Sequence, residues 1–527
     1  MENRLRQAAE WLLGPEAPAE TTRTHLLPRW IFLRALGLIY FSAFYSLIFQ
    51  IKGLIGPQGI LPAGEYLVAV AKYYPGVLRF WFAPTLFWLG SSDHALMLVT
   101  WLGLIASIAV MLNLWPRVTL AVCLVCFLSF VAAAQDFSGY QSDGMLLEAG
   151  FISLFFAPPG LRPGLGAAHS PSRFSRFLLQ WEWFRIYFES GVVKLASHDY
   201  SWRHLTAMDD YYQNGPLPTW VGWYAQHFPH WFHAATAFMT LASELALVWM
   251  LFLPRRFRII CFCIVTPFQA GIILTANYTF LNYLVLSLGF LLLDDGFIRS
   301  ILPARWKTWG RKATSAAAET QPAPALTPQW LRPLWRGVSA IYLGWVFYAT
   351  TALMFAMVLP YMPHLLLAPA QKLEPFRIAN QYGLFAVMTH ERYEIEFQGS
   401  NDGQNWIAYP FRYKPQDVHR APGIYAPYQP RFEWNLWFAS LGNWRSYEWV
   451  VLTEERLLHN DPDVLQLFAG NPFASAPPAR VRAVIWQYWF TDRAAKRKEG
   501  AWWRRELLGV YAPVLERMPD GRIVISQ

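Results

Sequence analysis

Glu182, Arg185, Glu189 and Lys194 sit inside an otherwise apolar, aromatic stretch, QWEWFRIYFESGVVKL, at residues 180–195. A charge at the centre of a bilayer span costs roughly 2.5–3.5 kcal/mol, so four in one segment need partners or a task. At about 100° per residue, Glu182, Arg185 and Glu189 share one helical stripe, and Arg185 and Glu189 are a turn apart. Lys194 falls nearly opposite, on a stripe with Tyr187 and Ser190. Two arrangements fit. One is an ion-pair lock between helices, with the lysine reaching towards the interface. The other is a polar pocket at the mouth of a bundle. In such a pocket Lys194 is the one candidate base, since apolar walls can tune a lysine for that work; no residue is assigned as catalytic. Glu148, Glu244 and Asn277 also interrupt apolar runs. Together Glu148, Arg185, Glu189, Lys194, Glu244 and Asn277 form a candidate cavity. The plainer reading is interhelical hydrogen bonding, often under ~1 kcal/mol each.

Other polar groups carry less. Cys123-x-x-Cys126 lies in AVCLVCFLSF, where no charge is at hand to activate a thiol, and reads as two small hydrophobes. His198-Asp199 and Asp209-Asp210 read as acidic exterior, so neither a metal site nor a cofactor is expected.

These residues require a membrane scaffold. The 527 residues are 54% hydrophobic and only 15% charged, well below the roughly 25% of soluble domains. The excess of Trp (27), Tyr (25) and Phe (38) suits rings at bilayer interfaces. The net charge of +9 comes from Arg and Lys beside apolar spans rather than from basic runs interleaved with aromatics, which excludes nucleic acid as a partner. The lipid bilayer is the first partner.

The expected architecture is a polytopic helical bundle of eight or nine spans followed by an exported β-rich, sandwich-like domain. Residues 1–28 form a cytoplasmic segment and 29–298 the bundle. A linker at 299–336, one last span at 337–360 and the β-rich domain at 370–527 complete the chain. The spans fall near 31–51, 95–114, 118–134, 144–157, 177–194, 231–253, 259–276, 280–293 and 338–359. Segment 51–87, broken by Gly and Pro, reads as an interfacial loop with a short amphipathic helix. With the N-terminus cytoplasmic, Arg117, Arg162, Arg173, Arg176, Arg255, Arg256 and Arg258 fall inside, as do the basic residues of 299–312. Asp136, Asp143, Asp199, Asp209 and Asp210 fall outside. That alternation puts the C-terminal domain on the exported side.

In that domain, RYEIEFQGSNDGQNWIAYPFR alternates apolar and polar residues around a turn and reads as a hairpin. Residues 431–441 (RFEWNLWFASL) read as a strand or an aromatic helix, 452–470 as a helix and 480–491 as a strand. Trp434, Trp437 and Phe438 are the candidate client-facing surface.

Several stretches in order carry a family resemblance. They are RWIFLRALGLIYFSAFYSLIFQIKGLIGPQGILPA, DFSGYQSDGMLLEAGFISLFFAP, RIYFESGVVKL…WRHLTAMDDYYQNGPLPTW, LTANYTFLNYL and ERYEIEFQGSNDG…QPRFEWNLWFASL. Across residues 29–444 the chain resembles the lipase maturation factor family. The resemblance implies a multi-pass membrane protein that assists folding and assembly of exported clients such as lipases. Animal members reside in the endoplasmic reticulum membrane. Few exported sequons and cysteines favour a bacterial inner membrane here. The chain lacks a Gly-x-Ser-x-Gly elbow and a Ser-His-Asp order, so any lipase is its client. The membrane part also distantly resembles that of vitamin K-dependent carboxylases, whose Gly-x-x-Lys-Leu motif is matched by Gly191-Val-Val-Lys194-Leu195. That likeness implies the alternative of a membrane enzyme on a lipid- or quinone-like substrate, with Lys194 as base. One lysine stands where the carboxylases have a pair.

Overall fold

The computed structural model describes residues 24–303, 332–359 and 361–526. Most of the segment read as 1–28 and of the linker read as 299–336 lies outside the described residues.

The helical part is built from apolar runs punctuated by capping residues. Helix α1 (Leu26–Ile48) is apolar on every side apart from Arg29 and Arg34 near its start, as suits a helix with neighbours on several sides. Helix α2 (Asp93–Met111) starts where the Ser92 hydroxyl accepts from the Ala95 N–H, and α3 (Pro116–Val131) has proline in its first turn, where the missing N–H costs nothing. Helix α4 (Gln141–Phe156) is followed by α5 (Arg173–Ala196), whose cap is Ser172. The short α6 (Ala207–Asn214) and α7 (Trp220–Gln226) lead into α8 (His230–Leu245), continued by a 3₁₀ turn, Leu247–Phe252. Helices α9 (Arg255–Thr275), α10 (Leu281–Gly289) and α11 (Arg332–Val358) complete this part. Between α1 and α2 the chain forms short helices, among them Ala63–Tyr73.

Every expected span has a helix at its place, yet only five stretches among the described residues are long and apolar enough to cross a membrane. They are Leu26–Ile48, Asp93–Met111, His230–Phe252, Arg255–Thr275 and Gly337–Val358. Helices α3, α4 and α10 are shorter than the ~20 residues a perpendicular crossing needs, and α5 carries the charges. The expected eight or nine spans therefore reduce to five candidates by length and composition.

The C-terminal part is a six-stranded antiparallel sheet. Strand β1 (Arg392–Ser400) pairs on one side with the short β2 (Ile407–Ala408) across the expected turn. On the other side it pairs with β3 (Arg480–Phe490), with Ile395 opposite Ile485. The far edge of β3 is shared by β4 (Trp503–Val510) and β5 (Val514–Arg517), and β5 pairs with β6 (Ile523–Ser526). The sandwich expectation needs correcting: one sheet is described, and helices rather than a second sheet pack on it. They are α12 (Arg431–Ser440), the segment read as strand or helix, and α13 (Trp449–His459). The side chains of Phe397, Phe432, Trp449 and Phe468 meet there.

The two parts are joined by buried polar contacts. Arg431 on α12 makes a two-pronged pair with Asp143 on α4, Nη1 to Oδ2 at 2.7 Å and Nη2 to Oδ1 at 2.9 Å, with both side chains buried. Arg392 of β1 donates to the carbonyls of Gln213, in the last turn of α6, and of Pro216 just beyond it, at 3.0 and 3.1 Å. Within the C-terminal part, Glu433 of α12 accepts from the N–H groups of Arg412, Tyr413 and Lys414 at 2.7–2.9 Å. Burial pushes its carboxyl up to about 6 against the pull of those donors.

Candidate functional site

Helix α5 presents its charges on two faces, as a 3.6-residue period requires. On one face Arg185 pairs with Glu148 of α4 and lies 3.9 Å from Glu189, one turn along α5. The remaining valences go to an irregular strap, residues 379–388, that follows the short helix His364–Gln371 and leads into the sheet. Arg185 Nη1 donates to the Asn380 carbonyl at 2.7 Å. Glu148 Oε2 accepts from the Asn380 N–H at 3.0 Å, its side-chain amide at 3.2 Å and the Tyr382 hydroxyl at 3.0 Å. Glu189 Oε2 accepts from the Tyr382 N–H at 2.6 Å. Gly144 makes room for this crossing, since a Cβ there would stand 2.6 Å from the Asn380 side-chain oxygen. Glu182 is buried on the same helix, and neither carboxylate oxygen has a hydrogen-bond partner among the described residues.

On the other face Lys194 Nζ reaches Glu244 of α8 at 2.9 Å, the Leu384 carbonyl of the strap at 3.0 Å and the Ser190 carbonyl at 3.4 Å. The Trp202 ring lies 5.1 Å away. An ammonium has three donors, and each has an acceptor here. Helices α5 and α8 come this close because Gly191 has no side chain; a Cβ would lie 2.8 Å from Leu245. The strap continues past this pair. Ser197 donates to the Ala386 carbonyl at 2.7 Å, Trp202 Nε1 to the Phe385 carbonyl at 2.9 Å, and Asp199 accepts the Met388 N–H at 2.6 Å. With no strand beside it, the strap has its main-chain groups satisfied by side chains of α4 and α5 and the turn after α5.

Beneath the strap is a cavity of about 770 Å³. Its polar wall holds Lys194 and Glu244, and also a chain from the Tyr187 hydroxyl to Gln269 at 2.9 Å and from Gln269 to Asn282 at 2.8 Å. Most of the rest is apolar, including Phe232 and Ile272.

The six residues expected to share one cavity therefore separate into three places. Lys194 and Glu244 line it. Glu148, Arg185 and Glu189 form the lock under Asn380 and Tyr382 instead. Asn277 clamps a loop, accepting from the Tyr425 and Ala426 N–H groups at 2.7 and 3.0 Å and donating to the Gly423 carbonyl at 2.9 Å.

The three candidate client-facing residues divide. Trp434 and Trp437 are only 7% and 9% exposed, and both line the cavity with Phe438, which is 37% exposed. The two tryptophans turn inward because α12 is wedged between the sheet and the helical part, and Trp437 Nε1 donates to the Asn214 carbonyl at 3.0 Å. The acidic loop is more structured than expected: Asp209 lies 3.0 Å from Nδ1 of both His230 and His233. The spacing of those two histidines, one turn apart, was the signal in the sequence. No cluster of metal-binding type occurs among the described residues. Cys123, Cys126 and Cys261 are buried as small apolar groups, whereas Cys263 is exposed.

Comparison with known proteins accounts for both parts. A family model described as the lipase maturation factor transmembrane domain matches residues 27–300, and one described as the lipase maturation factor C-terminal domain matches 378–513. Lipase maturation factor 2 of Gallus gallus is 33% identical over 93% of this chain and 81% of its own length. Lipase maturation factor 1 of Bos taurus is 32% identical over 94% and 90%. Lipase maturation factor 2 of Homo sapiens is 30% identical over 92% and 82%. No solved structure matches the chain. The second match begins at the strap and the first contains α4 and α5, so the lock joins the two matched regions. The chain belongs to the lipase maturation factor family.

Proposed function

We propose that this protein is a membrane-embedded factor that helps exported proteins, lipases among them, to fold and assemble. The observation that carries the reading is the match, in order and through two dissimilar regions, to proteins named lipase maturation factors. In this reading the domains are a cytoplasmic segment at 1–28, a membrane bundle at 29–298, a cytoplasmic linker at 299–336, a last span at 337–360 and an exported sheet domain at 370–527. Alternation of Arg-rich and Asp-bearing connections supports that orientation. The host membrane is a bacterial inner membrane, or the endoplasmic reticulum if the source is eukaryotic. Lys194 has a structural part, because its donors are engaged by Glu244 and two carbonyls.

The test is to delete the protein in its own host and measure exported lipase activity per unit of secreted lipase antigen. The reading expects activity per antigen to fall and to recover on complementation. Unchanged activity per antigen would overturn it.

A further inference from the structure

The cavity is incompletely matched by its own walls. Two buried side chains on its wall leave polar atoms without a hydrogen-bond partner among the described residues. They are both ends of the Gln429 amide and Glu244 Oε2. Gln429 and Glu244 are 0% and 8% exposed. Buried polar groups in native proteins are nearly always paired, so two around one space call for a missing partner.

The position of the cavity indicates where that partner comes from. Met239 of α8 and Gly271 of α9 both line it and are both exposed, so it opens sideways between these helices. Both helices belong to stretches apolar enough to cross a bilayer. A lateral opening there faces hydrocarbon rather than water. The volume of about 770 Å³ falls within the range of roughly 300–1,000 Å³ seen for pockets that enclose one small molecule.

We propose that the cavity holds one membrane lipid, with its tail passing between α8 and α9 and its head beneath the strap. The unpaired atoms set the head chemistry. Glu244 Oε2 accepts only, so the head must carry a donor; the Gln429 amide both donates and accepts, so the head must also carry an acceptor. A hydroxyl-bearing head, or an ammonium next to a phosphate, meets both needs. A bare carboxylate does not, because it would face Glu244. The glycerol of a monoacylglycerol and the phosphoethanolamine of a phosphatidylethanolamine, whose ammonium donates and whose phosphate accepts, are the two sources with that chemistry. This assignment is independent of the client: it is read from bound lipid, and absence of bound lipid would refute it without touching the proposed function.

The experiment uses the full chain, purified in detergent and washed, with retained lipid extracted and quantified by mass spectrometry. Monoacylglycerol and phosphatidylethanolamine are then titrated separately into delipidated protein while melting is followed. Near-stoichiometric retained lipid is expected, and one of the two titrants should raise the melting temperature, naming the source. Ile272→Trp and, as a milder filling of the same space, Thr236→Phe should each weaken that effect by about tenfold or more. Gln429→Leu, which removes the unpaired amide, should weaken binding of the polar head while leaving the protein folded. Three results would overturn the proposal. One is retention no greater than by an unrelated membrane protein washed alike. Another is no melting shift with either titrant. The third is equal binding by wild type and whichever filled variant folds.

Discussion

Replacing Arg185 by methionine keeps much of its length and apolar stem while removing the one cation in the lock. Arg185 is fully buried, pairs with Glu148, and holds the strap through the Asn380 carbonyl at 2.7 Å. Its loss leaves Glu148 and Glu189 as buried carboxylates with only N–H and hydroxyl donors from Asn380 and Tyr382. Removing one partner of a buried ion pair costs about 3–5 kcal/mol, because the other charge is left uncompensated. If that cost is expressed as release of the strap, its open population rises by on the order of a hundred- to several-thousand-fold. Limited proteolysis of purified protein, read as cleavage within residues 377–390 beside the melting temperature, measures both. The double change Glu148→Gln with Arg185→Met removes a charge of each sign and should cost less than the sum of the single changes by at least about 1 kcal/mol. Additive single effects, or an Arg185→Met protein that melts and resists protease like wild type, would refute the lock.

Three further outcomes follow from the same geometry. Asp143→Asn should loosen the sheet from the helical part by about 3–5 kcal/mol, since it unpairs the buried Arg431; cooperative melting should give way to two separate transitions. Gly144→Val should act like Arg185→Met on strap proteolysis without changing any charge, because its side chain would overlap Asn380. Burial raises the Glu454 carboxyl on α13 well above its ordinary value, against a weaker pull from the Ala483 backbone. A raised folded-state value means its contribution is fully present below about pH 4.3, the unfolded value, and is lost as pH rises towards the folded one. Glu454→Gln should therefore gain stability relative to wild type as pH climbs above about 4.3, and equal pH profiles in melting would contradict the assignment.

Much of the helical part was legible because hydrophobic period and capping are local. Each helix begins or ends within a few residues of its apolar run, and Ser92, Pro116 and Ser172 mark starts that the chain itself specifies. The division of α5 into two polar faces was also legible, since the stripe containing Arg185 and Glu189 diverges from that of Lys194 by simple angular arithmetic. What joins those faces to partners was not. The strap carries no periodicity, and its contacts lie with residues nearly two hundred positions earlier, such as Glu189 with Tyr382. Span count is harder to read for a related reason: α4 and α10 are short and have many buried residues, and burial in protein leaves the same composition as burial in lipid. The inward turn of Trp434 and Trp437 was hidden too. An aromatic stripe at helical spacing fits a client surface or an internal wedge equally, and long-range contacts such as the Arg431–Asp143 pair and the Trp437–Asn214 hydrogen bond fix which way α12 lies. In the same way, alternating strands foretold a sheet with an apolar face, but not that α12 and α13 would cover it.

The central claim, that this family member promotes lipase maturation from the membrane, is met most directly by reconstitution. Purified protein in liposomes is mixed with a denatured exported lipase from the same host, and recovered activity is compared with that over empty liposomes of the same composition. The account predicts a higher yield of active lipase that falls when Arg185→Met protein is used. Equal yields with wild-type and empty liposomes would contradict it.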